Sequence, residues 1–179
     1  MTAHAVAFGA DIRQEHVESI ARREDGIFEV ATSGGTTYEA PAVILTAGGT
    51  PHKLEVPGEY EYAGRGVSYC AVCDGAFFKG ETIAVVGGGD AAVEEAEYLS
   101  RYAAKVYVIH RRDEFRASKI LQERLFANPR IEVLWNKRVL ELTGGPAGLE
   151  WIEMVDTVTG EELALKASGC FIFIGFRPN

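Results

Sequence analysis

The chain has 179 residues, 47% hydrophobic and 25% charged, enough for one or two small domains with a real core. A formal net charge of −8 is a poor footprint for nucleic acid, which calls for a basic face, and no apolar run approaches the roughly 20 residues of a membrane-spanning helix. Met1 to Phe8 show neither a basic n-region nor a long apolar h-region, and three cysteines are too few for a secreted disulfide scaffold, so the expected location is a reducing cytoplasm.

In chain order, residues 1–48 read as strands. Val17 to Arg22 and Ile27 to Thr32 are short β-prone runs, and Thr36 to Tyr38 follow the turn Ser33-Gly34-Gly35. Pro41 to Thr46 is continuously apolar and ends in Ala47-Gly48-Gly49, as expected of a strand buried on both faces of a parallel sheet. Residues 49–58 hold two prolines and two glycines without periodicity, and read as a linker or hinge.

Next comes Ser68-Tyr69-Cys70-Ala71-Val72-Cys73-Asp74-Gly75. Cysteines three apart lie on one face of a helical turn, near enough to alternate between dithiol and disulfide, and Asp74 stands ready to exchange the proton. A zinc site is a weaker reading, because the other candidate ligands (His52, His110, Cys170) are scattered. Two inert buried thiols are the other alternative. Cys170, alone in an apolar run, reads as core packing.

Thr82 to Val86 reads as a buried strand and Asp90 to Arg101 as a helix, followed by a strand over Lys105 to Ile109, a helix over Arg116 to Ala127 and a strand over Ile131 to Trp135. Alternation of this kind predicts a doubly wound α/β unit. Short strands at 139–143, 149–157 and 162–166 predict a three-stranded meander, and Gly169 to Gly175 a last apolar strand.

Gly87, Gly88, Gly89, Asp90, Ala91 and Ala92 join the first strand of this unit to its first helix. Gly87 permits the tight turn, Gly89 lets backbone approach a pyrophosphate, and small Ala92 lets helix and strand pack closely. The free N–H groups and positive dipole end of the helix favour the anion. About 20 residues on, where an NAD site would place an acid on the ribose, stand His110, Arg111 and Arg112, with Arg116 a turn later. Guanidinium groups match a phosphate bidentately, so the 2′-phosphate of NADPH is the expected ligand.

In order and spacing, Cys70 to Gly75, Gly87 to Ala96, His110 to Ala117 and Ile174 to Asn179 resemble the low-molecular-weight, bacterial-type thioredoxin reductases. The resemblance implies electron flow from NADPH to FAD to the Cys70–Cys73 disulfide to thioredoxin, with Cys70 attacking the partner, Cys73 facing the flavin and Asp74 as acid-base. It implies that Gly87 to Ala92, His110, Arg111, Arg112, Arg116, Ile174 and Gly175 serve the NADPH site. Thr46, Ala47 and Gly48 stand where a flavin-domain segment belongs. The implied layout is a remnant of the FAD domain at 1–48, a linker at 49–58, the NADPH domain at 59–175 and a return to the FAD domain at 176–179.

By the same resemblance the family's first flavin turn and its later Gly-Asp segment are missing, so this chain alone is expected to hold no FAD. The complete protein is expected to form a homodimer and to engage no nucleic acid or membrane. An NADPH-binding module without turnover, or a flavoprotein reductase of a peroxiredoxin, is the alternative reading.

Overall fold

The computed structural model describes residues 2–179, which divide into two compact units between Ala47 and Gly48. In the first unit a short helix α1 (Thr2–Ala7) precedes an antiparallel sheet of β1 (Val17–Arg22), β2 (Phe28–Thr32) and β3 (Thr37–Ala40) in that order. Glycines at positive φ shape both turns, Gly26 at +88° and Gly35 at +80°. The expected buried strand over Pro41 to Thr46 does not form: no strand is assigned there, Ile44 is 89% exposed and Leu45 72% exposed. A strand buried on both faces needs flanking strands and covering layers, and the segment is paired with no strand in this structure.

The second unit is built on a five-stranded sheet ordered β5-β12-β6-β7-β8, made of β5 (Val67–Ser68), β6 (Thr82–Gly87), β7 (Lys105–Ile109), β8 (Ile131–Leu134) and β12 (Gly169–Phe173). Every pairing in it is parallel. Consecutive side chains of a strand leave opposite faces, so an unbroken apolar run requires cover on both sides. That cover exists. On one face Ile83, Val85, Val106, Val108, Phe171 and Phe173 pack with Val93, Ala96 and Leu99 of α3 (Asp90–Leu99) and Leu125 of α4 (Lys119–Phe126). On the other, Ala84, Val86, Ile109, Cys170 and Ile172 meet Val139, Leu142, Ile152 and Met154 of a meander formed by β9 (Lys137–Gly145), β10 (Gly148–Asp156) and β11 (Glu162–Lys166).

The second unit is therefore the doubly wound α/β unit with a meander on one face, and the first is a small antiparallel sheet. Two boundaries differ from the sequence reading. The second helix begins at Lys119 rather than Arg116, because the Arg116 N–H is taken by the Gly88 carbonyl at 2.8 Å and Ser118 is the N-cap. Residues 49–58 are also not featureless: β4 (Gly49–Pro51) pairs antiparallel with β13 (Phe176–Pro178), and the segment after β4 is held by side-chain hydrogen bonds.

Candidate functional site: a glycine turn, an arginine loop and a disulfide

The carboxyl ends of β6, β7 and β12 open into a cavity of about 680 Å³. Its lining includes Gly87, Gly88, Gly89, Asp90 and Ala91 from the turn, His110, Arg111 and Arg116 from the loop after β7, and Ile174 and Gly175 after β12. Ligands of open α/β sheets bind at such strand ends.

The glycines are needed for different reasons. A Cβ on Gly87 would collide with the Phe173 carbonyl and Ala92 Cβ, and one on Gly88 would strike the His110 ring. Nothing stands within 4 Å of the Cβ position of Gly89, so its backbone faces open space at the start of α3. Ala92 is fully buried and lies outside the cavity lining, keeping α3 close to the sheet.

Turn and loop are bonded to each other. Besides the Arg116 to Gly88 link, the Ser118 N–H donates to Asp90 Oδ1 at 2.6 Å. His110 is buried beneath the turn, its Nε2 within 2.9 Å of the Glu114 carbonyl. Burial, aided by neighbouring Arg112 and Arg111, pushes His110 below the usual histidine range despite its backbone hydrogen bonds. Its ring supports the turn from below, where a Cβ on Gly88 would strike it.

Arg111 and Arg116 are exposed and line the cavity, whereas Arg112 does not line it; the Arg112 carbonyl instead receives the Asn136 N–H at 3.1 Å. Among the described residues no carboxylate lies within ion-pair distance of these arginines. Three lining groups were not anticipated from the sequence: Lys137, Arg138 and the segment His52 to Val56. A basic pair just past the end of β8, on the ligand side of the sheet, was the available signal for the first two. Lys137 is held by Asp156 at 2.6 Å, which draws the Asp156 carboxyl down to about 2.

The chain thus offers open backbone N–H groups at a helix start and unpaired guanidinium groups in a cavity bordered by further cations. This donor set fits a dinucleotide phosphate.

Cys70 and Cys73 are joined in a disulfide with Cα atoms 5.3 Å apart. Cys70 caps the single-turn helix α2 (Ala71–Asp74), and the Cys73 N–H points at Cys70 Sγ at 3.2 Å. Cys70 is half-buried and Cys73 exposed. Ser68 organises the turn: its hydroxyl receives the Cys70 N–H at 3.1 Å and donates to Asp74 Oδ2 at 2.6 Å. Asp74 also borders a second cavity of about 450 Å³. Val72, 68% exposed, and Phe77, 81% exposed, leave apolar surface beside the pair. Cys170 is wholly buried, and burial pushes its thiol up to about 12.

Thr46, Ala47 and Gly48 are exposed and line neither cavity. Among the described residues no helix is long and apolar enough to cross a membrane.

Residues 5–179 match the family model described as pyridine nucleotide-disulphide oxidoreductase. The chain is 49% identical over 178 residues to thioredoxin reductase of Bacillus subtilis, covering 99% of this chain and 56% of the relative. It is 47% identical over 179 residues to a bifunctional thioredoxin reductase/thioredoxin of Mycobacterium leprae, covering 100% of this chain and 39% of that protein. The crystal structure of Lactococcus lactis thioredoxin reductase (FR conformation) superposes with a TM-score of 0.80 at 37% identity, over 97% of this chain and 57% of that one. The chain thus spans little more than half the length of these relatives at most. With a parallel sheet, a glycine turn and a Cys-x-x-Cys disulfide in the family's order, the chain belongs to the pyridine nucleotide-disulphide oxidoreductases.

Proposed function

We propose that this chain carries the NADPH site and the exchanging disulfide of a cytoplasmic thioredoxin reductase. Residues 59–175 are read as the NADPH-binding domain and 1–48 as part of a flavin-binding one. The observation that carries the nucleotide reading is the single cavity shared by the glycine turn and two unpaired arginines. Gly88 and Gly89 would bring backbone N–H groups to the pyrophosphate, and Arg111 and Arg116 would hold the 2′-phosphate. Bound there, the dinucleotide supplies a hydride, two electrons at once.

At the other site the reduced pair exchanges with a partner disulfide. The Cys70 thiolate attacks one partner sulfur, expelling the other. Cys73 then attacks Cys70 Sγ, closing the Cys70–Cys73 bond and releasing the partner as a dithiol. Two electrons and two protons pass to the partner, and Asp74, held by Ser68, is placed to relay a proton. The Cys73 N–H directed at Cys70 Sγ would meet negative charge on that sulfur when the bond opens. Thioredoxin is the proposed partner, with Val72 and Phe77 as the apolar surface it would cover; the Mycobacterium leprae relative joins both names in one chain.

Two experiments test this. Titration followed by tryptophan fluorescence should give NADPH at least about a tenfold lower Kd than NADH; equal affinities, or none, would overturn the nucleotide reading. The chain reduced by dithiothreitol, freed of reductant and mixed with oxidised thioredoxin should reduce one disulfide per chain. No transfer would overturn the second half.

A further inference from the structure

Glu59 has no solvent exposure, yet no cation pairs with it among the described residues. Its carboxylate is satisfied by three donors: the Leu54 N–H at 3.0 Å, the Glu55 N–H at 2.7 Å and the Tyr69 hydroxyl at 2.6 Å. Breaking one arm of this arrangement leaves a buried polar group unsatisfied.

The first two donors belong to the segment His52 to Val56, which borders the 680 Å³ cavity. Glu55 sits at φ +60°, a left-handed conformation that a residue with a side chain rarely adopts unless its surroundings hold it. Further bonds fix both ends of the segment. The His52 N–H reaches the Gly175 carbonyl at 2.9 Å, and the Leu142 N–H reaches the Pro57 carbonyl at 3.0 Å. A side chain at Gly58 could not be accommodated, since its Cβ would overlap the Leu142 carbonyl. Above Tyr69, Lys53 Nζ lies 3.3 Å from the ring centroid.

Strand order says which end of a ligand this segment meets. The arginine loop follows β7, on one side of β6, whereas Gly175, to which His52 is hydrogen-bonded, follows β12, on the other side. A dinucleotide whose pyrophosphate lies on the turn and whose 2′-phosphate lies on the arginines therefore extends its nicotinamide half toward residues 52–56. Resting on the reading of this cavity as an NADPH site, we infer that Glu59 is a positioning residue for the nicotinamide half, acting through the two backbone amides it holds.

The test compares two probes on the 179-residue chain. NADPH reaches both sides of the turn, and adenosine 2′,5′-bisphosphate only the arginine side. In Glu59→Gln one carboxylate oxygen becomes an NH2 group, so in either orientation one amide of the strap formed by residues 52–56 faces a donor. The Kd for NADPH should rise about tenfold while that for the bisphosphate stays within about twofold. Tyr69→Phe keeps both strap bonds and should shift neither by more than about twofold. Equal weakening of both probes by Glu59→Gln would mark a purely structural role, and an unchanged NADPH Kd would exclude positioning; either result overturns the inference. A wild-type chain that binds neither probe would overturn the cavity reading and this inference with it.

If Glu59→Gln fails to fold, amide hydrogen exchange on the wild-type chain decides. The Leu54 and Glu55 amides should exchange slowly without ligand, and at least about tenfold more slowly with NADPH but not with the bisphosphate. Exchange at the rate of an unstructured chain, or the same response to both probes, would overturn it.

Discussion

Two stretches of this chain share an apolar character and have opposite surroundings. Cys170 to Phe173 lies in β12 with a strand on either side, helices over one face and the meander over the other, and every residue is buried. Val43 to Leu45 has a similar composition but no strand beside it, and Ile44 and Leu45 face solvent. Hydrophobicity states a requirement for cover; neighbours in space decide whether it is met. The glycine turn rests on the covered stretch, since Phe173 and Gly87 abut where the turn begins.

The sharpest way to break this contrast is to hollow out the enclosed side. Phe171→Ala, at a fully buried ring in edge contact with Phe78, should cost about 3–5 kcal/mol in denaturant unfolding. Removing a side chain proposed to bind phosphate should leave the fold intact and reach only the cavity. Arg116→Ala should raise the NADPH Kd about tenfold and the NADH Kd by much less, measured by titration.

Acid should act on the enclosed side as well. His110 is held below the unfolded histidine value of about 6.5, so the unfolded chain takes up its proton first. Stability is therefore full above about 6.5 and declines as pH falls below it. In His110→Gln that decline below about pH 6.5 should shrink, as read from chemical denaturation at each pH.

Thiol chemistry separates the two kinds of environment without any mutation. After reduction, iodoacetamide at about pH 8 should label Cys70 and Cys73 and spare Cys170 until denaturant is added. The smallest effect belongs to the open stretch, where Ile44→Ser should move stability by no more than about 0.5 kcal/mol.

Local rules made the β6-turn-α3-β7 segment legible from sequence. Each element there is specified by residues within a few positions of one another, down to the small Ala92 and the arginines after β7. Pro41 to Thr46 was misread because burial is a property of partners that a sequence window does not contain. Arg112 and Arg116 have the same side chain, yet only Arg116 borders the cavity; the difference comes from backbone bonds that turn the loop, and composition does not record these. Glu59 was invisible for a related reason. Its three donors stand five, four and ten positions away, in no periodic pattern, and one of them requires a left-handed Glu55.

The antiparallel pairing of β4 with β13 sets Gly49 directly opposite Pro178. Residues 49 and 178, near the two ends of the second unit, therefore lie one strand spacing apart, about 4.8 Å. Such a unit behaves as a cassette: spliced into a surface hairpin of an unrelated host, it would ask that host to bridge no distance, and a new chain start could be cut at an exposed loop such as Val158 to Glu161 once residues 49 and 178 are joined.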